Sequence, residues 1–247
     1  MKRKIYDRLL QWKKESNGRS AALIQGAPCT GKSFITEAFA KAEYRSYIRI
    51  DFTEAGETLK RMFLYDMDDL DTFFLKLQVL FNTKLYRRNS LIIFDEVQWF
   101  PRVRSAIEHL VKDGRFDYIE TGNLLAIKES TKGIRLPSHV ERLRLYPMDF
   151  EEFLWATGHE HLLPVIRRSF TARAQMGAAL HYKAMDMLRQ YLIVGGMPAA
   201  VAEYVRSGNL ATVDKVKRSI LQHYRESIRR YARRHAPKAT EIFEKIP

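Results

Sequence analysis

The sequence predicts an α/β fold, in which a five-stranded parallel sheet is flanked by helices and followed by a wholly helical segment. Short apolar runs alternate with segments of helical period over about the first 150 residues. The most apolar run, Leu91–Phe94, is typical of a strand that is buried on both faces of a sheet. Beyond Asp149 the strand patterns stop, and helical segments are punctuated by glycines. Together these observations favour a sheet domain that ends near residue 150.

Each predicted strand lies next to a predicted helix along the chain, and this alternation indicates parallel strands joined by crossover helices. The predicted strands are Ser20–Gln25, Tyr44–Phe52, Leu91–Phe94, Phe116–Thr121 and Val140–Tyr146. The predicted helices before residue 150 are Met1–Lys14, Phe34–Glu43, a long one over Glu57–Leu85, and Arg104–Lys112.

Composition excludes several classes of protein. With 46% hydrophobic residues the chain can form a core, so it is not a disordered protein. Its single cysteine, Cys29, excludes a disulfide scaffold and indicates a reducing, cytoplasmic setting. The longest uncharged apolar stretch, Tyr191–Ala202, is far shorter than the roughly 20 residues of a membrane span. No membrane association is therefore expected.

The positive charge is concentrated in the last third of the chain. Of the net charge of +13, residues 161–247 carry +10, from 16 basic and 6 acidic residues. The densest stretch, Lys215–Arg234, has the period of an amphipathic helix with a basic side. Two interpretations remain open: a surface for a nucleic-acid backbone, or a solvated helix face that packs on a neighbouring domain.

A phosphate-binding loop is predicted at Gly26–Ser33, which matches the spacing G-x-x-x-x-G-K-[ST] between an apolar strand and a helix. Glycines let the backbone turn so that its N–H groups face phosphate oxygens. Lys32 would reach the β- and γ-phosphates of ATP, and the hydroxyl of Ser33 would bind Mg²⁺. The predicted ATP-binding residues are Gly26, Ala27, Pro28, Cys29, Thr30, Gly31, Lys32, Ser33 and Phe34.

Two carboxylates follow the most apolar strand, at the end where ligands bind in open α/β sheets. We expect Asp95 to hold Mg²⁺ and Glu96 to orient and deprotonate the attacking water. The alternative is an exposed strand end that begins a turn. Thr121 and Asn123, which end the fourth strand, would face the γ-phosphate if that strand lies beside the loop strand.

With these pieces in order, the chain resembles the AAA+ ATPases, which are P-loop NTPases, and within them a prokaryotic group, AAA family 14, that carries a DUF4143 domain. The segments that carry the resemblance are GAPCTGKS, LIIFDEVQWFP, YIETGN, VERLRLYPMDFEEFL and GGMPAAV. It implies that the fourth strand lies between the loop strand and the acidic strand. It also implies that Asn123 is the polar sensor and that Arg142 is a charge-stabilising finger, acting in its own subunit or in a neighbour.

The resemblance also implies a domain organisation. Residues 1–150 would form the nucleotide-binding core, 151–206 a helical lid, and 207–247 a basic helix and the start of a DUF4143-like domain. Relatives continue well beyond the segment that resembles Thr240–Pro247, so we expect a chain that lacks most of the C-terminal domain. In the phosphate loop, relatives usually have Arg-Gln where this chain has Ala27-Pro28.

The expected function is Mg²⁺-dependent ATP hydrolysis that moves the lid and the C-terminal domain, with homo-oligomers and nucleic acid as candidate partners. One alternative is a nucleotide-gated binding module with negligible turnover. Another is a small-molecule kinase, which the adjacent Asp95 and Glu96 disfavour. A GTPase is disfavoured because the sequence has no N-K-x-D motif.

Overall fold

The structure is a computed structural model that describes residues 1–123, 139–232 and 235–245. The chain forms two compact units. The sheet unit comprises Lys4–Ala27 and Gly31–Leu145, and the helical unit comprises Met1–Arg3, Pro28–Thr30 and the residues from Tyr146 onward.

The sheet unit contains one five-stranded parallel sheet with the strand order β2-β3-β4-β1-β5. Its strands are β1 (Ala21–Gly26), β2 (Ser46–Asp51), β3 (Ser90–Asp95), β4 (Asp117–Gly122) and β5 (Val140–Leu145). Helices α1 (Lys4–Ser16), α2 (Lys32–Glu43), α3 (Glu57–Tyr65), α4 (Leu70–Leu80) and α5 (Val103–Asp113) flank it. The predicted fold class is confirmed, and β4 lies between β1 and β3 as the resemblance implied.

The sheet is buried on both faces because successive residues of a strand point to opposite sides. In β3, Leu91 and Ile93 join a core cluster that contains Trp12 of α1 and Phe39 of α2. The alternate residues of β3 join a second cluster on the other face, formed with α3, α4 and α5. This two-sided burial explains why the sequence of β3 is continuously apolar.

The helix predicted over residues 57–85 is wrong as a single element, since the structure has α3 and α4 in its place. Asp69 separates the two helices. Its carboxylate accepts the backbone N–H groups of Asp71 at 3.2 Å and Thr72 at 3.1 Å, which is the geometry of a helix N-cap. The apolar period continues across the break because both helices pack on the same face of the sheet.

The helical unit has its own core. Its helices are α6 (Phe150–Ala156), α7 (Leu162–Ala172), α8 (Ala178–Val194), α9 (Pro198–Ser207), α10 (Leu210–Ala232) and α11 (Ala236–Glu244). Phe153, Leu154 and Val201 are fully buried in this core. Glycine is required at Gly196, because an added Cβ would lie 2.1 Å from the carbonyl oxygen of Met148. Among the described residues, no helix is both long and apolar enough to cross a bilayer.

Candidate active site

The predicted phosphate loop lies where the sequence placed it, between the end of β1 at Gly26 and the start of α2 at Lys32. Cys29 (φ 62°) and Gly31 (φ 89°) both have left-handed backbone conformations. Cys29 has a side chain, so this conformation costs about 1–2 kcal/mol. Tight turns built from left-handed residues are typical of backbone concavities that bind anions. Thr30 is buried, whereas Ala27 and Phe34 are exposed.

Lys32 brings a buried cation to this loop. The residue is 5% exposed, and its ammonium donates to the carbonyl oxygens of Gly26 at 3.3 Å and Ala27 at 3.1 Å. The same nitrogen lies 3.7 Å from Oε1 of Glu96. The loop cation and the second carboxylate after β3 are therefore neighbours in space, although 64 positions separate them in the sequence.

Asp95 ends β3 and is fully buried among donors. Its Oδ1 accepts the hydroxyl of Ser33 at 3.0 Å and also that of Thr121, while its Oδ2 accepts Nε of Arg49 at 2.9 Å. The hydroxyl of Thr121 therefore donates to Asp95, whereas the sequence analysis predicted that Thr121 would face the γ-phosphate. The sequence analysis did not predict Arg49 as a partner of Asp95, because the two residues meet only through the pairing of β2 with β3.

Glu96 leaves the strand in a left-handed conformation, with φ 55°. Its backbone N–H donates to the hydroxyl of Thr121 at 3.1 Å, which fixes the turn against β4. Its carboxylate is 27% exposed, while that of Asp95 is 1% exposed. The pair thus presents one buried carboxylate beside Ser33 and one solvent-accessible carboxylate beside Lys32.

The donor set at Ser33 and Asp95 fits Mg²⁺. A hydroxyl and a carboxylate 3.0 Å apart are oxygen ligands of the kind that Mg²⁺ uses together with water and phosphate oxygens. Among the described residues, no group of three or more His, Cys, Asp or Glu side chains could hold a metal ion. A site of this composition would bind Mg²⁺ jointly with a nucleotide and not in an all-protein cage.

Comparison with protein families decides the classification. A model described as an AAA domain, AAA_14, matches residues 18–154, which is more than half of the chain and includes the loop, Asp95 and Glu96. The chain belongs to this AAA domain family. A second family model, a domain of unknown function called DUF8612, matches residues 185–247. No protein of curated function matches the sequence.

Three solved structures are among those that are similar to this chain. The Aeropyrum pernix ORC2 protein is 14% identical with a TM-score of 0.41, over 63% of this chain and 49% of that one. A RuvB variant of Thermotoga maritima is 13% identical with a TM-score of 0.40, over 74% and 68%. Drosophila ORC bound to DNA is 14% identical with a TM-score of 0.45, over 87% and 66%. The chain thus spans about half the length of the ORC2 protein that it matches.

Of the remaining two predicted site residues of this AAA domain, Asn123 lies near the others and Arg142 does not. Asn123 directly follows β4, and its backbone N–H donates to Oε1 of Gln98 at 3.4 Å, close to Glu96. Arg142 is exposed on the edge strand β5, where it pairs in register with Leu23 of β1. Leu23 precedes Gly26 by three residues, so Arg142 lies about 10 Å along the sheet from the loop. The structure therefore brings Asn123, but not Arg142, to the other site residues.

A buried ion pair lies beneath the site of the AAA domain. Nε of Arg104 lies 2.8 Å from Oε1 of Glu120, and the two side chains are 2% and 0% exposed. Burial raises the pKa of the Glu120 carboxyl, and the positive charges of Arg104 and Arg142 partly offset this rise. The ion pair connects α5 to β4 within the sheet unit.

Replacing Arg104 with methionine should destabilise the protein by about 3–5 kcal/mol at neutral pH, because Glu120 would remain buried without its partner. Arg104 lowers the pKa of Glu120, so without Arg104 burial should raise this pKa further than in the wild type. On folding, the variant then binds a proton more readily than the wild type does, so the loss should shrink as pH falls from 8 to 5. Urea unfolding at several pH values measures this. Lys112→Met, on the exposed side of the same helix, is the control, and an equal loss in both variants would contradict the argument.

Proposed function

We propose that this AAA domain protein binds ATP with Mg²⁺ and hydrolyses it. The observation that carries the proposal is the convergence of Lys32, Ser33, Asp95 and Glu96 at the carboxyl ends of β1 and β3. A phosphate-binding cation, a hydroxyl-carboxylate pair and an accessible carboxylate are the parts that ATP hydrolysis requires. Membership of the AAA domain family supports nucleotide binding.

In this proposal each residue has one task. Residues Gly26–Phe34 would hold the phosphates, with Lys32 on the β- and γ-phosphates. Ser33 and Asp95 would hold Mg²⁺, which neutralises phosphate charge when it is bound. Glu96 would accept a proton from water as the water oxygen attacks the γ-phosphorus and the bond to the bridging oxygen breaks. Asn123 would help to position that water.

One experiment separates this function from its alternatives. The protein is saturated with γ-labelled ATP and Mg²⁺, binding is quantified, and the labelled products are separated with candidate nucleosides and sugars present. Hydrolysis predicts free orthophosphate. Label on an added acceptor would instead indicate a kinase, and fully retained ATP would indicate a nucleotide-gated binding module.

Arg142 is proposed as a finger that acts on the site of a neighbouring subunit, because it is exposed on edge strand β5 and lies away from its own loop. Arg142→Ala should then lower ATP turnover by about 10³-fold. Turnover per chain should rise with protein concentration in the wild type and stay flat in the variant. Arg8→Ala is the control, because Arg8 is an arginine of α1 whose side chain is 62% exposed and which pairs with Glu141 of β5. A change of less than threefold in Arg142→Ala would show that Arg142 is only structural.

The remaining assignments are also proposals: a core over 1–150, a lid over 151–206 and a further domain over 207–247, kinship with the prokaryotic DUF4143 group, and a cytoplasmic setting.

Two partners besides ATP are proposed, a second copy of the chain and nucleic acid, and the described contacts give less support to nucleic acid. Several basic residues of α10 have partners within the protein: Lys217 donates to the carbonyl oxygen of Ile193, Arg218 pairs with Asp214, and Arg225 pairs with Glu244. These contacts favour a structural role for much of the basic helix.

A further inference from the structure

Gln98 lies between two residues of the proposed catalytic site. It belongs to the short 3₁₀ turn Val97–Trp99 that follows Glu96, and it is 8% exposed. Its side-chain amide donates through Nε2 to Oε2 of Glu96 and accepts the backbone N–H of Asn123 through Oε1 at 3.4 Å. One buried amide thus connects the carboxylate after β3 to the residue after β4.

The orientation of this amide is fixed by its partners. The carboxylate of Glu96 can only accept hydrogen bonds when it is ionised, and the backbone N–H of Asn123 can only donate. Exchanging the amide oxygen and nitrogen would therefore place oxygen against carboxylate and N–H against N–H. The side-chain amide of Gln98 must therefore act as the hydrogen-bond donor to Glu96.

The contact also determines which way the Glu96 carboxylate faces. Gln98 engages Oε2, and the other oxygen, Oε1, lies 3.7 Å from the ammonium of Lys32. The backbone of Glu96 is held separately by the hydroxyl of Thr121. With the backbone fixed by one neighbour and Oε2 fixed by another, Oε1 is directed toward Lys32 of the phosphate loop.

We propose that Gln98 is a positioning residue for ATP hydrolysis, which holds Glu96 so that its Oε1 faces the water that attacks the γ-phosphate. This inference rests on the proposed function. It extends that function by adding a residue that acts through its hydrogen bond to Glu96. A misplacement of a catalytic base by about 1 Å can lower the rate by about 10²-fold, so fixing the position of the Glu96 carboxylate should increase the rate of hydrolysis.

Two substitutions of similar size separate this role from a structural one. Gln98→Glu keeps an acceptor for the N–H of Asn123 but loses the donor to Glu96, and Gln98→Met loses both. If Gln98 acts through Glu96, both variants should lower kcat by about 10- to 100-fold with KM for ATP within about threefold of the wild type. If Gln98 only secures the end of β4, Gln98→Glu should keep near-normal kcat, and that result would overturn the proposal.

A third arm tests the route through Glu96. In a Glu96→Gln background, adding Gln98→Met should lower the residual turnover by less than about twofold, because the residue to be positioned is already inactive. A further drop as large as in the wild-type background would overturn the proposal. Circular dichroism and ATP binding verify that every variant is folded. A wild-type protein that binds ATP but releases no phosphate would overturn the proposed function and this role with it, and the wild-type arm alone identifies that outcome.

Discussion

Replacing Lys32 with alanine is expected to remove most of the affinity of the protein for ATP. The Lys32 ammonium is buried beside the loop carbonyls of Gly26 and Ala27 and lies 3.7 Å from Glu96, so its charge is held at the loop where the phosphates are proposed to bind. Losing charged hydrogen bonds to the phosphates should cost about 3 kcal/mol or more, which corresponds to more than about 10²-fold in affinity. Titration with a fluorescent ATP analogue measures the change.

Lys41→Ala is a matched control for this experiment. Lys41 lies on the same helix, α2, but its side chain is 61% exposed and pairs with Glu37. Its removal should leave the affinity for ATP unchanged. If Lys32→Ala also bound ATP with wild-type affinity, the loop would not use Lys32 for phosphate binding.

Replacing Glu96 with glutamine is expected to leave ATP binding intact and to stop turnover. Glutamine has almost the same size but cannot accept a proton from water, and the phosphate contacts of Lys32 and Ser33 remain. A general base contributes about 10²- to 10⁴-fold, so turnover should fall by at least about 10²-fold. Phosphate release at saturating ATP measures the change.

Glu57→Gln, at the exposed start of α3, controls for the loss of one carboxylate and should hydrolyse ATP normally. Normal turnover in Glu96→Gln would remove Glu96 from the mechanism and favour a water that is activated without a protein base. Loss of ATP binding in that variant would point instead to a role of Glu96 in holding the loop.

The sheet and the phosphate loop were predictable because their signals are local. The continuous apolar run of β3 follows from burial on two faces, and the loop spacing follows from a strand and a helix that must meet at a phosphate. These features lie within a few consecutive residues. All five strands were therefore located within two residues at each end by pattern alone.

The partners of the site residues were less predictable because they depend on strand pairing. Arg49 meets Asp95 only because β2 lies beside β3, and Thr121 meets it because β4 lies on the other side. The break between α3 and α4 was missed for another reason. The apolar period continues through it, and only the N-cap carboxylate of Asp69 indicates the interruption. Gln98 follows Asp95 closely, but its role depends on where β4 ends.

The most direct test of the account is a single turnover of γ-labelled ATP that is bound to the protein with Mg²⁺ before excess unlabelled ATP is added. The account predicts that the wild type converts the bound label to orthophosphate, whereas Glu96→Gln retains it as ATP. If the wild type bound ATP through Lys32 and yet released it unhydrolysed at the same rate as Glu96→Gln, the central claim that this site hydrolyses ATP would be contradicted.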